Sequence, residues 1–231
     1  MLAITIAPDV LRQRLAEAAN YAVLQRIAPA LHHDVAGLMQ PVSILTAVLQ
    51  KRMQLPEPNL QDIAKNLSSV SNMAKEATTG CVIAVGWINT SENRWVNLHN
   101  SIDQATQLLS MELSAAGLKV DNDIANQDRS VPQIYFRSVV VGALLAFCDQ
   151  STTGGTLHLK IQAQPKDTNK PDQLLLSIVP GDANRVSSHA DVIRKSRCID
   201  WADVQAMADW LGVTMVQGDG WVALDIASPD S

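Results

Sequence analysis

From Leu24 onward, apolar residues recur in steps of three and four at Ile27, Leu31, Val35, Leu38, Val42, Leu45 and Leu49. That spacing marks one stripe of a long helix running over residues 9–53, with a period close to the heptad value. Pro29 and Pro41 fall inside it, and each removes one backbone donor. Because the stripe continues through both, a single bent helix is expected. Leu55-Pro56-Glu57-Pro58-Asn59 reads as a turn whose Asn59 can cap the next helix. A second stripe then follows at Leu60, Ile63, Leu67, Val70, Met73, Ala77, Cys81, Val85 and Ile88. The two stripes describe a helical hairpin. Two helices alone cannot cover both apolar faces, so pairing with a second copy into a four-helix bundle is expected.

After residues 89–93 the pattern changes to short alternating elements. A strand is predicted over 95–98, a helix over 101–116 stopped by Gly117, a strand over 118–124 and a buried helix over 131–149. Paired strands are expected at 156–163 and 173–179, and a helix at 200–211 capped by Asp200. A terminal hairpin is expected over 213–217 and 221–226 around Gly218-Asp219-Gly220. The fold class is therefore α+β: a hairpin domain over residues 1–90, then an α/β two-layer sandwich over residues 91–231 with helices on one face of a sheet. Trp201 and Trp210 are expected to anchor the late helix to that sheet. Met39, Met53, Met73 and Met111 read as core or dimer seam.

Of the 231 residues, 47% are hydrophobic and 18% charged, enough for a packed core and too apolar for wholesale disorder. The formal net charge of -5, without a Lys/Arg cluster, gives no attraction to phosphate backbones, so nucleic acid is not an expected partner. Cys81, Cys148 and Cys198 are too widely spaced for a zinc knuckle and odd in number, and read as free thiols in a reducing cytoplasm. The longest apolar run, Val139 to Cys148, is half of what a membrane-spanning helix needs, so no membrane is expected either. His99, His158 and His189 are scattered in the sequence and show no metal-ligand spacing, and no metal site is expected.

The candidate chemistry lies at His32-His33-Asp34. Two positions from both Leu31 and Val35, His33 sits about 200° round the helix from the apolar stripe and points outward. Its helical neighbours include Arg26, Ala30, Gly37 and Gln40, mostly small or polar. They would leave the ring open to a partner, with Arg26 near an anionic group. Asp34 can accept from one ring nitrogen and leave the other as nucleophile. His32, about 100° from Leu31, is expected nearer the seam. On the dipeptide alone, two adjacent histidines on a solvated face without any role are the competing reading.

Arg26-Ile27-Ala28-Pro29-Ala30-Leu31-His32-His33-Asp34-Val35, on the first helix of such a hairpin, resembles the dimerisation and phosphotransfer domain of two-component histidine kinases, in which a His followed by an acidic residue carries a phosphoryl group. Downstream, Arg94-Trp95-Val96-Asn97-Leu98 and Gly117-Leu118-Lys119-Val120 look like the entry into that family's ATP-binding domain. Phe136-Arg137-Ser138-Val139-Val140-Val141 and Gly154-Gly155-Thr156-Leu157-His158-Leu159 frame its nucleotide-site helix. The resemblance covers roughly residues 22–227, and departs where the proline that usually follows the His closely is displaced to Pro41.

The nucleotide motifs depart further. Gly142 and Ala146 stand where the family carries asparagines, one of them a magnesium ligand, and neither offers an oxygen. Pro180-Gly181-Asp182-Ala183-Asn184-Arg185 replaces the Asp-x-Gly-x-Gly adenine turn, and no glycine lies between Ser187 and Trp201 to cradle phosphates. Asp182 reads as a turn residue.

What the resemblance implies is a phosphotransfer protein that passes a phosphoryl group between receiver-domain aspartates through His33 and Asp34, with Arg26, Ala30, Gly37 and Gln40 facing the partner. No cofactor is expected on this chain, magnesium belonging to the receiver. The expected partners are a second copy, response-regulator receiver domains and a hybrid histidine kinase upstream. A non-catalytic dimeric scaffold is the alternative, and an active sensor histidine kinase a second one.

Overall fold

A computed structural model describes residues 7–88, 94–124, 129–164, 171–181 and 197–226. The chain divides into two units, one formed by Met1–Ile27 with Ser91–Ser231 and the other by Ala28–Thr90. One cut between these units falls at Ile27, inside the first helix. The architecture is α+β, a long helical hairpin followed by a mixed sheet with helices.

Helix α1 (Pro8–Met53) is continuous through Pro29 and Pro41. In its second half Leu31 and Leu49 are buried and Val35, Leu38, Val42 and Leu45 half-buried, as the stripe predicts. Helix α2 (Leu60–Ile88) opens on Asn59, whose Oδ1 accepts from Gln61 N at 3.1 Å and Asp62 N at 3.2 Å. These bonds satisfy two of the donors that a helix start leaves open. Gly80 of α2 lies where a Cβ would meet the Leu38 Cδ1 methyl, so the absent side chain lets the two helices approach. Leu60, Leu67, Val82, Val85 and Ile88 of α2, with Met39, Ile44, Val48 and Met53 of α1, remain exposed on the single chain.

The other unit begins with the first half of α1, whose inward positions are Ala16, Ala19, Ala22, Val23, Arg26 and Ile27. Short side chains there permit close packing. Strand β1 (Trp95–Asn97) leads directly into α3 (Leu98–Leu108), capped by Asn97, and α4 (Ser110–Ala115) follows. Gly117, at φ 68°, then turns the chain into β2 (Leu118–Asn122) through left-handed backbone that suits glycine. The expected helix over 131–149 begins later than predicted. Residues Ser130–Pro132 form β3, paired antiparallel with β1, and α5 (Gln133–Tyr135) runs through a π-helical segment (Phe136–Val140) into α6 (Val141–Gln150). Continuous hydrophobicity there marked burial, not where the strand gave way to helix.

Strands β4 (Gly155–Gln162) and β5 (Gln173–Pro180) pair antiparallel, β2 joins β4 in parallel, and β6 (Met215–Gly218) and β7 (Trp221–Asp225) complete a sheet of order β2-β4-β5-β7-β6. Leu118, Leu157, Leu159, Leu174, Leu176, Val222 and Leu224 are buried, whereas Lys119, Asp121, Lys160, Val179 and Trp221 are exposed. That alternation is the period of a sheet covered on one face.

Helix α7 (Trp201–Trp210) is capped by Asp200, which accepts from Asp203 N at 3.0 Å while the Asp203 carboxylate accepts from Asp200 N. Trp201 meets the Phe147 ring edge-on at 4.9 Å and so anchors α7 to α6. Trp210 and Met111 are exposed and serve no core role in this chain. Among the described residues, no helix is long and apolar enough to cross a membrane.

Candidate functional site

His33 projects from α1 with its side chain 86% exposed, and its Nδ1 lies 3.6 Å from Asp34 Oδ1. The outward direction follows from helical geometry. Leu31 is buried and Val35 half-buried, and a residue midway between them points to the other side of the helix. The carboxylate stands on the Nδ1 side of a ring that is otherwise largely in solvent. Gly37 has no atom within 4 Å of where a Cβ would stand, Gln40 is exposed and Ala30 half-exposed. The neighbourhood of the ring is therefore small-sided. His32 is exposed on the single chain as well, so exposure alone does not separate the two rings.

Arg26 corrects the expectation of an outward-facing cation. Its side chain is 3% exposed and turned into the unit that contains α4 and α6. Nη2 and Nε donate to Glu112 at 2.6 and 3.1 Å, and Nη1 donates to both Asp149 oxygens at 2.8 and 3.1 Å. Burial alone would favour loss of its proton. Hydrogen bonds and charge from Glu112 and Asp149 outweigh that and hold the guanidinium above its ordinary pKa. With every guanidinium nitrogen turned to these carboxylates, Arg26 is structural and does not face a partner's phosphate. Asp149 also accepts from Ile199 N at 2.7 Å, tying the approach to α7 into the same network. Beside it, burial pushes the Cys148 thiol up to about 12, with Glu112 and Asp149 adding to the effect. That thiol stays protonated and unreactive at neutral pH.

The two positions that resemble the family's asparagines offer no side-chain oxygen to a magnesium ion. Gly142 and Ala146 are wholly buried. A Cβ on Gly142 would approach Met207 Cε to 2.6 Å and Val23 to 3.8 Å, so this face of α6 is sealed by α7 and by α1. A cavity of about 440 Å³ near the end of α6 is lined by Phe147, Ser151, Trp201 and Trp221 among others, with Asp219 the one charged residue among its described lining. Among the described lining no Lys or Arg stands ready to pair with a phosphate. Asp182, with the part of the segment replacing the adenine turn that follows Gly181, lies outside the described residues, as does His189.

Sequence spacing missed one cluster. Asp121, Asp123 and His158 converge on the sheet, with His158 Nδ1 at 3.3 Å from Asp121 Oδ2 and 3.5 Å from Asp123 Oδ2. The signal that could have found it is the alternation of β2 and β4, once their pairing is known.

No protein-family model matches the chain, and no curated protein matches it. Solved structures similar to it include the Acinetobacter baumannii histidine kinase AdeS, at 12% identity over 84% of this chain and 98% of that one, with a TM-score of 0.44. A bacterial phosphotransferase matches at 12% identity over 98% of this chain and all of its own, TM-score 0.41. The histidine kinase ThkA, solved with the response regulator TrrA, matches at 11% identity over 100% of this chain and 69% of that one, TM-score 0.38. These identities are too low to carry an activity across, so the chemistry is read from the side chains.

Proposed function

We propose that the chain is a two-component phosphohistidine carrier that accepts a phosphoryl group on His33 from a receiver-domain aspartyl phosphate and passes it to another receiver's aspartate, without using ATP. The observation that carries this reading is the exposed His33 ring with Asp34 beside Nδ1. In the tautomer whose proton sits on Nδ1, toward Asp34, the ring attacks phosphorus through Nε2. The N–P bond forms as the P–O bond to the aspartate breaks, and the electron pair leaves on that carboxylate. Asp34 then faces the positive charge that the phosphorylated ring acquires. Delivery to the second aspartate is the same step reversed. Both ends of the transfer, with their magnesium, belong to the receivers.

The exposed apolar side chains of α1 and α2 support a homodimeric bundle in which each copy presents one such histidine. In this reading Ala30, Gly37 and Gln40 border the receiver, and the α/β unit contributes docking surface rather than a kinase site.

The test is incubation of the full chain with a panel of phosphorylated receiver domains, following acid-labile, alkali-stable phosphate on the protein. Transfer is expected with the unaltered chain and with His32→Gln, and is abolished by His33→Gln. Transfer lost with His32→Gln instead would reassign the role to His32. A double variant that still transfers, or an unaltered chain that takes no phosphate from any receiver while binding one, would replace the carrier by a scaffold.

A further inference from the structure

We infer that Asp121, Asp123 and His158 form a binding site for a divalent cation of the zinc class on the sheet, independent of His33 and of the phosphotransfer reading. Strands β2 and β4 run parallel with Asp121 opposite His158, so their side chains leave the same face. Asp123 lies two residues further along, on the face that Asp121 uses. Its backbone N–H donates to Leu159 O at 3.0 Å, which continues the strand alignment past the end of β2. Three side chains from sequence positions up to 37 apart are thus held together by backbone pairing.

The spacing matches the chemistry. Ligand atoms set around a tetrahedral zinc ion at its usual bond lengths lie about 3.3–3.5 Å from one another. His158 Nδ1 stands at 3.3 and 3.5 Å from the two carboxylate oxygens, and all three ligand atoms lie within 4.8 Å of one another. Small rotations of the two exposed carboxylates would bring all three onto one ion. An imidazole in the set favours zinc over magnesium or calcium, which prefer oxygen alone. A dication would balance both carboxylate charges, whereas a protonated ring balances one. The side chains are 31–54% exposed, leaving a fourth position to water.

The full chain, stripped by a chelator and titrated with zinc chloride, tests this by calorimetry and by thermal unfolding. One zinc per chain is expected at this site, with an unfolding temperature that rises with zinc concentration. His158→Gln and Asp121→Asn should each weaken this binding about tenfold or more, whereas His33→Gln should leave it unchanged. Both substitutions in the cluster are at solvent-accessible positions, and far-UV circular dichroism checks that the variants fold. Asp123→Asn provides a third variant. Absence of saturable zinc binding would overturn the inference, leaving His158 as a polar neighbour of two carboxylates. So would full-affinity binding in the cluster variants, which would place the ion elsewhere.

Discussion

Arg26 and Asp149, 123 residues apart in sequence, form a two-pronged ion pair in which one guanidinium nitrogen reaches both carboxylate oxygens, at 2.8 and 3.1 Å. The same arginine grips Glu112, so a single side chain from α1 neutralises acids on α4 and α6. Two carboxylates largely withdrawn from water depend on it.

Arg26→Met should accordingly destabilise the protein by about 3 kcal/mol or more, because it leaves both acids buried without a counter-ion. Urea unfolding measures it. Adding Glu112→Gln and Asp149→Asn to Arg26→Met should restore much of the loss. The remaining groups are then neutral, and the new amide oxygen can still accept from Ile199 N. A loss below about 1 kcal/mol would show that the acids find other compensation.

Self-association is the expected fate of the hairpin's exposed apolar side chains. Light scattering should give about twice the chain mass of 25.0 kDa at micromolar concentration. Ile44→Glu combined with Val85→Glu should shift the protein to monomer, because burying two carboxylates in an apolar seam costs more than the seam returns. A monomeric unaltered chain would remove the bundle.

Alkaline pH should destabilise the fold through Cys148. Its thiol is held near 12 in the folded chain against 9.0 in an ordinary setting. Since folding favours the protonated form, this contribution is complete below about pH 9 and falls as pH rises from 9 toward 12. The slope is about 1.4 kcal/mol per pH unit once the unfolded thiol is ionised. Buried Tyr135, likewise raised by desolvation and by Asp225, joins above pH 10. Unfolding measured between pH 8.5 and 10 should show a shallower decline in Cys148→Ala, and an equal decline in both would assign the effect elsewhere.

ATP should not bind measurably. Calorimetric titration of the chain with a non-hydrolysable analogue and magnesium is expected to give no saturable heat, because Gly142 and Ala146 are packed shut and offer no oxygen to the metal. Saturable micromolar binding would restore the autokinase alternative.

The hairpin, its Asn59 and Asp200 caps, the Gly117 turn and the alternating strands β4 and β5 were legible in the chain itself, because each depends on neighbours a few residues away. So was the outward direction of His33, which is set by its angle to Leu31 and Val35 on one helix. Arg26 was not legible. Its partners lie 86 and 123 residues distant, and the helical period alone favoured a solvated arginine, since charge is normally placed in water. The cut at Ile27 shares that cause: the first half of α1 turns Val23 and Arg26 inward to meet α4 and α6, elements whose positions no local pattern contains. The cluster of Asp121, Asp123 and His158 depends in turn on the register of two parallel strands. Parallel pairing joins segments separated by a long crossover, and only the folded backbone sets which residue stands opposite which.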